Sequence, residues 1–402
     1  MKSEFNANVV NDEIFIPEGF EFNGMHCGIK SSGNKDLALV KTSDNLPVLS
    51  TAVFTTNECC AAPVAYSKEA LVKSCNMTTA VLLNSGNANA ATGEDGLKTV
   101  EESVVELSKI LECDKSNVLV CSTGLIGIPL DSTPILNSAP TLVKEATGDK
   151  SSFKKAAEAI LTTDTVSKVF SLKSSSGSYT ITGFAKGAAM LAPSMATMLA
   201  VVVTDADLSF HNLKDSLING VQNSFNSIVV DGCMSTNDTV ILMSSGKKQI
   251  EDINEFNSLL QTGLRSLAYQ MVKDAEGSTV TVHLTVEGCY DYQQAKALAH
   301  QIAQSVLVRC SINGKDPYWG RIISELGAAG VNIKPENVSI FYGDFEVARG
   351  GVALVHDEDA LSKYMQDDEI EITVKMNLGE ASYNIMFCDI SHAYIDENRK
   401  TS

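Results

Sequence analysis

Residues 183–203, GFAKGAAMLAPSMATMLAVVV, carry one charge, Lys186, in twenty-one positions. Alanine, methionine and valine at that density belong in an interior. Pro193 interrupts any continuous helix. The β-branched run Val201–Val203 reads as a strand beginning at or just after Thr197. The chain must therefore build a buried strand here and wrap other elements around it. The same stretch sets one hydroxyl, Thr197, in bland surroundings. Core packing accounts for the methionines and alanines. A residue that reacts, even with its own chain, accounts for the hydroxyl too.

The rest of the composition allows such a core. The chain has 402 residues, 44% hydrophobic and 20% charged, which suits two or three globular domains. Its net charge of −18 argues against nucleic acid as a partner. No run of eighteen apolar residues occurs, so neither a membrane-spanning helix nor a membrane partner is expected. The first residues, MKSEFNANVVNDEIF, show neither the apolar core of a signal peptide nor the Arg-rich character of a transit peptide, and the expected location is the cytoplasm. Among ten cysteines only Cys59 and Cys60 are adjacent, and no CxxC pair is present. The six histidines show no HxxxH or HExxH spacing. No metal site and no tightly bound cofactor are expected; the cysteines read as reduced, packed side chains.

Apolar periodicity predicts alternating strands and helices. Strands are expected at 81–83, within SNVLVCSTGLIG (116–127) up to its Gly-containing turn, and at 198–206, 228–230 and 369–377. TVTVHLTVEG (279–288) alternates strictly and reads as a half-exposed strand. Helical stripes appear at 100–111, 151–161, 212–223, 253–273 and, as one helix, 291–308. Pro317 stands near the start of a further helix and Gly327 near its end. No repeat, linker or composition shift marks a domain boundary. Four polar loops stand out: NSGNANAATG (84–93), STGLIG (122–127), DGCMSTNDTV (231–240) and GKDPYWGR (314–321). Each is compatible with ordinary turn chemistry and each, at a strand end, is a place for function.

Taken together these segments resemble the glutamate N-acetyltransferase/ornithine acetyltransferase (ArgJ) family. KGAAMLAPSMATML is similar to that family's self-cleavage segment. GIKSSGNKDLALV, VFTTN, NSGNANA, STGLIGIPL, TTDT, STNDTV, DPYWGRI and CDISHAYI follow its landmarks in order over nearly the whole chain. The sequence departs from the family at Glu58 and Cys59, at Cys233 and Met234, at Ala275, and in the tail ENRKTS. The resemblance implies a layered α-β-β-α sandwich with a second, smaller α/β domain towards the C-terminus. It implies autocatalytic cutting between Ala196 and Thr197, giving chains 1–196 and 197–402 that assemble as α2β2. The implied reaction moves acetyl from N2-acetylornithine to glutamate; the residues leave open whether acetyl-CoA is a second donor.

The residues fit that chemistry. A threonine hydroxyl needs a base, and no histidine lies near Thr197 in sequence. Cutting before Thr197 would create an α-amine on the nucleophile itself, with a pKa near 7.7–8.0. Thr123 and Gly124, after an apolar strand, suit an oxyanion hole. Lys186, the lone charge of its stretch, suits a substrate carboxylate; its plainer reading is a snorkelling lysine. The resemblance implies substrate contacts at Thr163, Lys186, Thr197, Glu276, Asn398 and Ser402. A hydrolase or aminopeptidase of the related self-processing group, with water as acceptor, is the second reading. A binding protein without activity is the third.

Overall fold

The computed structural model describes residues 13–190 and 198–399. Expectations for Ala196, Thr197 and Ser402 lie outside the described residues. The described residues form a larger unit, 13–226 with 233–271, and a smaller one, 227–232 with 272–399.

The first half of the chain runs β1 (Phe20–Met25), β2 (Leu37–Thr42), β3 (Val48–Phe54), α1 (Ala62–Lys73), β4 (Met77–Thr78), β5 (Ala80–Asn87), α2 (Gly93–Leu111), β6 (Val118–Leu125), α3 (Thr133–Lys144), α4 (Lys150–Ala159), β7 (Lys168–Lys173) and β8 (Thr180–Lys186). Then come β9 (Leu199–Ala206), α5 (Phe210–Gln222), β10 (Ile228–Val229), β11 (Thr239–Lys248) and α6 (Ile253–Lys273). The remainder is β12 (Thr281–Cys289), α7 (Tyr292–Gln304), α8 (Val306–Asn313), α9 (Trp319–Ala328), β13 (Ser339–Tyr342), β14 (Phe345–Arg349), β15 (Val352–Ala353), α10 (Glu358–Tyr364), β16 (Glu369–Lys375), β17 (Ala381–Cys388) and α11 (His392–Asn398).

The larger unit contains two sheets, ordered β1-β2-β5-β6 and β4-β3-β11-β9-β8-β7. Both faces of the first are buried, in the period of two that a strand imposes. Ala38, Val40, Val81, Leu83 and Leu119 point to the second sheet's Phe184, Leu199, Val201, Val203 and Ile241. Leu37, Leu39, Leu82, Val118 and Val120 point to Val104, Leu107 and Leu111 of α2 and Leu142 of α3. Beyond the second sheet lie α5 and α6. Gln270 of α6 accepts from the Val169 N–H and donates to its carbonyl, each at 3.0 Å, and so clips onto β7. The layers are α-β-β-α, as expected, and the opening segment's strand is β9, buried along its whole length.

The smaller unit is also α/β, with sheet order β10-β17-β12-β16-β13-β14-β15. Its core joins Val282, Leu284 and Val286 of β12 to Leu298, Ala299 and Ile302 of α7 and Ile322 and Leu326 of α9. Here two expectations are corrected. β12 is half exposed only in its second part: it sits between β16 and β17, Thr281 and His283 are buried as well as the apolar positions, and Thr285 and Glu287 are part-exposed. The helix expected over 291–308 is two helices. Ser305 leaves the helical conformation at φ −66°, ψ 114° and its hydroxyl accepts from the Val308 N–H, starting α8.

Phe153 of α4 is fully buried between the sheets, edge-on to Phe22 at 5.2 Å and to Phe184 at 5.6 Å. Truncation would leave a cavity that backbone from two sheets cannot close. Phe153→Ala is expected to lower unfolding stability by about 3–5 kcal/mol in urea denaturation; a loss below about 1 kcal/mol would show the core to be plastic here.

Candidate active site

In the larger unit β5 and β6 run parallel, with Gly86 opposite Gly124. Gly124 has φ +134°, and a Cβ there would lie 2.3 Å from the Gly86 carbonyl carbon and 2.5 Å from the Asn87 nitrogen. Only glycine allows both the dihedral and the approach. Thr123 beside it is buried, and no described residue hydrogen-bonds its hydroxyl.

The asparagine-rich loop after β5 is held by its own amides. Asn84 donates to the Asn87 carbonyl at 2.9 Å, Asn87 to Ile128 at 3.1 Å and Asn89 to Gly96 at 2.9 Å. Asn237, just before β11, donates to the carbonyls of Ala88 at 2.6 Å and Ser122 at 2.9 Å. Its amide thus ties the start of β11, in one sheet, to the end of β6, in the other. These loops position backbone, which is the turn-chemistry reading of their composition.

Lys186 ends β8 and pairs with Leu199, so it lies across the sheet from the first residue of β9. It is 3% exposed. Its ammonium donates to the Thr162 hydroxyl at 2.7 Å and stands 3.6 Å from Asp164. Asp164 accepts from Lys168 at 2.6 Å, from the Gly187 N–H at 2.7 Å and from the Thr162 N–H at 3.1 Å. Burial alone would raise its pKa; Lys186, Lys168 and the Gly187 N–H overcome that and hold it well below the usual range. Lys30 reaches the same region, donating to the carbonyls of Leu161 at 2.6 Å and Lys35 at 2.9 Å. Burial, and then the charge of Lys186, lower its pKa against the pull of Asp36 and Asp164. The expected Thr163 is exposed; among the described residues it is Thr162 that meets Lys186. Asp164, one residue on in TTDT, was not singled out from sequence.

Asp238 was also missed, inside STNDTV. It is fully buried, and one carboxylate oxygen accepts from the Met198 N–H at 2.9 Å. Burial pushes its pKa up to about 8; the Met198 N–H, the Ser235 hydroxyl and Lys186 oppose that only in part. The departures at Cys233 and Met234 lie five and four positions earlier, on an exposed stretch.

In the smaller unit Asn398 donates to the Glu276 carboxylate at 2.7 Å, so two expected substrate residues meet. Gly277, at φ +65°, would place a Cβ 2.2 Å from the Tyr394 nitrogen, and only a glycine lets α11 come so close. Asp389, from CDISHAYI, accepts from the Thr279 N–H and hydroxyl, both at 2.7 Å, and fixes the chain between Glu276 and β12. The loop 314–321 forms the start of α9 and brings no predicted site residue with it. Among the described residues no group of His, Cys, Asp and Glu is placed to hold a metal ion, and no helix is long and apolar enough to cross a membrane.

The larger unit thus gathers, at the strand ends around β9, a glycine-shaped backbone turn, a buried cation and a buried acid, which together mark a candidate site. The model of the ArgJ family matches residues 21–401. The arginine biosynthesis bifunctional protein ArgJ of Chlorobaculum tepidum is 38% identical over 399 residues, covering 98% of each chain. That of Geobacter sulfurreducens is 38% identical over 391 residues, covering 95% of this chain and 98% of its own. A solved ornithine acetyltransferase from Mycobacterium tuberculosis, complexed with ornithine, is 36% identical over 46% of this chain and 94% of its own, with a TM-score of 0.42. The chain belongs to the ArgJ family.

Asp164 carries the buried charge of this site, and its loss should be costly. Asp164→Asn leaves Lys168 and Lys186 without their carboxylate and is expected to destabilise by about 3–5 kcal/mol. Because folding depresses its pKa, the native stabilisation is complete above the unfolded value of about 3.9 and is lost as pH falls below it. The parent's unfolding free energy should therefore decline below about pH 4 more steeply than that of the variant; parallel curves would show that folding does not lower the pKa of Asp164.

Proposed function

We propose that the chain is a self-cutting acetyltransferase that moves acetyl from N2-acetylornithine to glutamate through an acetyl-Thr197 intermediate. The observation that carries this reading is the convergence of three strand ends on the start of β9. Asn237 joins β11 to the carbonyl of Ser122, one residue before Thr123. Asp238 holds the Met198 N–H, one residue after Thr197. Lys186 lies across from Leu199. The nucleophile of this reading, at 197, immediately precedes Met198 in the chain.

In this reading Thr197 attacks the Ala196 carbonyl, and the cut frees an α-amine that serves as its base in turnover. Thr123 and the Gly124 N–H receive the oxyanion, a role that rewards the fixed backbone at Gly124. Lys186 receives the substrate carboxylate. Asp164 pairs with both Lys168 and Lys186, so one carboxylate serves two ammonium groups and leaves positive charge for an anion. Thr163, Glu276, Asn398 and Ser402 are read as substrate contacts, Glu276 offering its charge to an amine. The two chains, 1–196 and 197–402, would remain together as α2β2 in the cytoplasm. The word bifunctional in the relatives' names favours acetyl-CoA as a second donor. A hydrolase would instead release acetate with or without glutamate.

Freshly purified protein should convert from one species of 43.0 kDa to two, with Thr197 as the new amino terminus. Thr197→Ala should do neither this nor form ornithine from acetylornithine and glutamate. Thr123→Ala should lower kcat about 10²–10³-fold. A single uncut species on long incubation, or Thr123→Ala turning over like the parent, would contradict the respective assignments.

A further inference from the structure

We propose that Asp238 is the proton donor of the self-cut, giving its proton to the nitrogen of Thr197 as the bond to Ala196 breaks. This rests on the self-cutting reading above and assigns it a group that the acetyl-transfer chemistry does not use.

Geometry comes first. Asp238 sits immediately before β11, and Thr239 and Leu199 are partners across the parallel pair of β11 with β9. Met198 is gripped from both sides: its N–H donates to one Asp238 oxygen at 2.9 Å, and its carbonyl accepts from the Thr239 N–H at 3.1 Å. Three covalent bonds, each about 1.3–1.5 Å, separate the Met198 nitrogen from the Thr197 nitrogen. A carboxyl fixed on one nitrogen is therefore within a residue of the other. The second Asp238 oxygen is buried and has no hydrogen-bond partner among the described residues. A buried polar atom without a partner is costly, and this one belongs to the carboxyl that holds the Met198 N–H, the residue that follows Thr197 in the chain.

Charge comes second. Water is excluded from Asp238, and Lys186 is the charged side chain that acts on it, from the end of β8. The neighbouring Ser235 contributes a hydroxyl. Cys121, which reaches Thr239 from β6, has its thiol pushed up to about 12 by burial and stays neutral throughout the relevant range. With a pKa of about 8, Asp238 carries a proton at pH 7 and has one to give.

The step balances. The Thr197 hydroxyl oxygen bonds to the Ala196 carbonyl carbon, the carbon–nitrogen bond breaks, and the nitrogen takes the Asp238 proton. The hydroxyl proton leaves to water, and Asp238 regains one from water. Water then hydrolyses the ester, leaving Ala196 as a carboxylate. In the uncut chain Thr197 has no free α-amine, so a titration near pH 8 in the rate of cutting cannot come from that group.

Asp238→Asn separates proton donation from mere support, because the amide oxygen still accepts the Met198 N–H while the acidic proton is gone. The test is the first-order rate of cutting of freshly folded 43.0 kDa chain, followed by intact mass from pH 6 to 9, with circular dichroism to verify the fold. The parent's rate should fall as pH rises through about 8. Asp238→Asn should cut about 10²-fold more slowly, without that fall. A folded Asn variant with the parent's rate and profile overturns the proposal while leaving the self-cut intact. Should the Asn variant not fold, the parent decides: a rate that is flat or rising across pH 8 overturns the proposal, and a falling one supports it. A parent that never cuts overturns the self-cutting reading and this one with it.

Discussion

The buried pairing of Asp164 with two lysines is the interaction on which the larger unit's site depends. The TTDT loop has no regular structure of its own, yet its carboxylate takes the Lys168 ammonium of β7, the Gly187 N–H after β8 and the Thr162 N–H. A charge so far from water persists only when it is paired and hydrogen-bonded. The same pairing fixes the Lys186 side chain against Thr162, at the end of the strand beside β9. Remove the carboxylate and two buried ammonium groups lose their reason to be there.

A second constraint joins the two sheets. Each is built from strands whose alternate residues face different cores, so their registers are set independently. Among the contacts that align their ends is the Asn237 amide, bonded to the carbonyls of Ala88, just after β5, and Ser122 of β6. The glycine-only approach of Gly124 to Gly86 then sets the backbone turn beside it. Burial supplies stability, while these few polar contacts supply position. Polar networks of this kind are worth their desolvation only when their members are satisfied. The buried Asp238 oxygen without a described partner therefore stands apart from them.

Much of this was legible in the sequence. The charge-free run through Val203 forecast the buried strand β9, and the stripe at 100–111 forecast α2, because apolar periodicity reports directly on burial. Gly124, Lys186, Glu276 and Asn398 were legible as candidates through family resemblance. Other features were hidden by physics that a local pattern does not carry. Strict alternation in TVTVHLTVEG suggests a wet face, but central placement in a seven-stranded sheet buries Thr281 and His283 and leaves Thr285 and Glu287 part-exposed. One hydroxyl, Ser305, ends α7 and starts α8 inside what reads as a single helix. The two units are divided at 226/227, 232/233 and 271/272 without any change in composition, because α/β layers use the same residues on both sides. Asp164 and Asp238 look like turn residues in sequence; only long-range packing reveals that one is a paired carboxylate and the other a buried acid.

The central claim is that a hydroxyl at position 197 carries the acetyl group. The most direct measurement is acid quenching of the enzyme during turnover with N2-acetylornithine in the absence of glutamate, followed by digestion and mass spectrometry. An acetyl group is expected on the peptide that begins with Thr197, and is expected to disappear when glutamate is added before the quench. Sustained ornithine formation with that peptide unmodified at every quench time would contradict the claim.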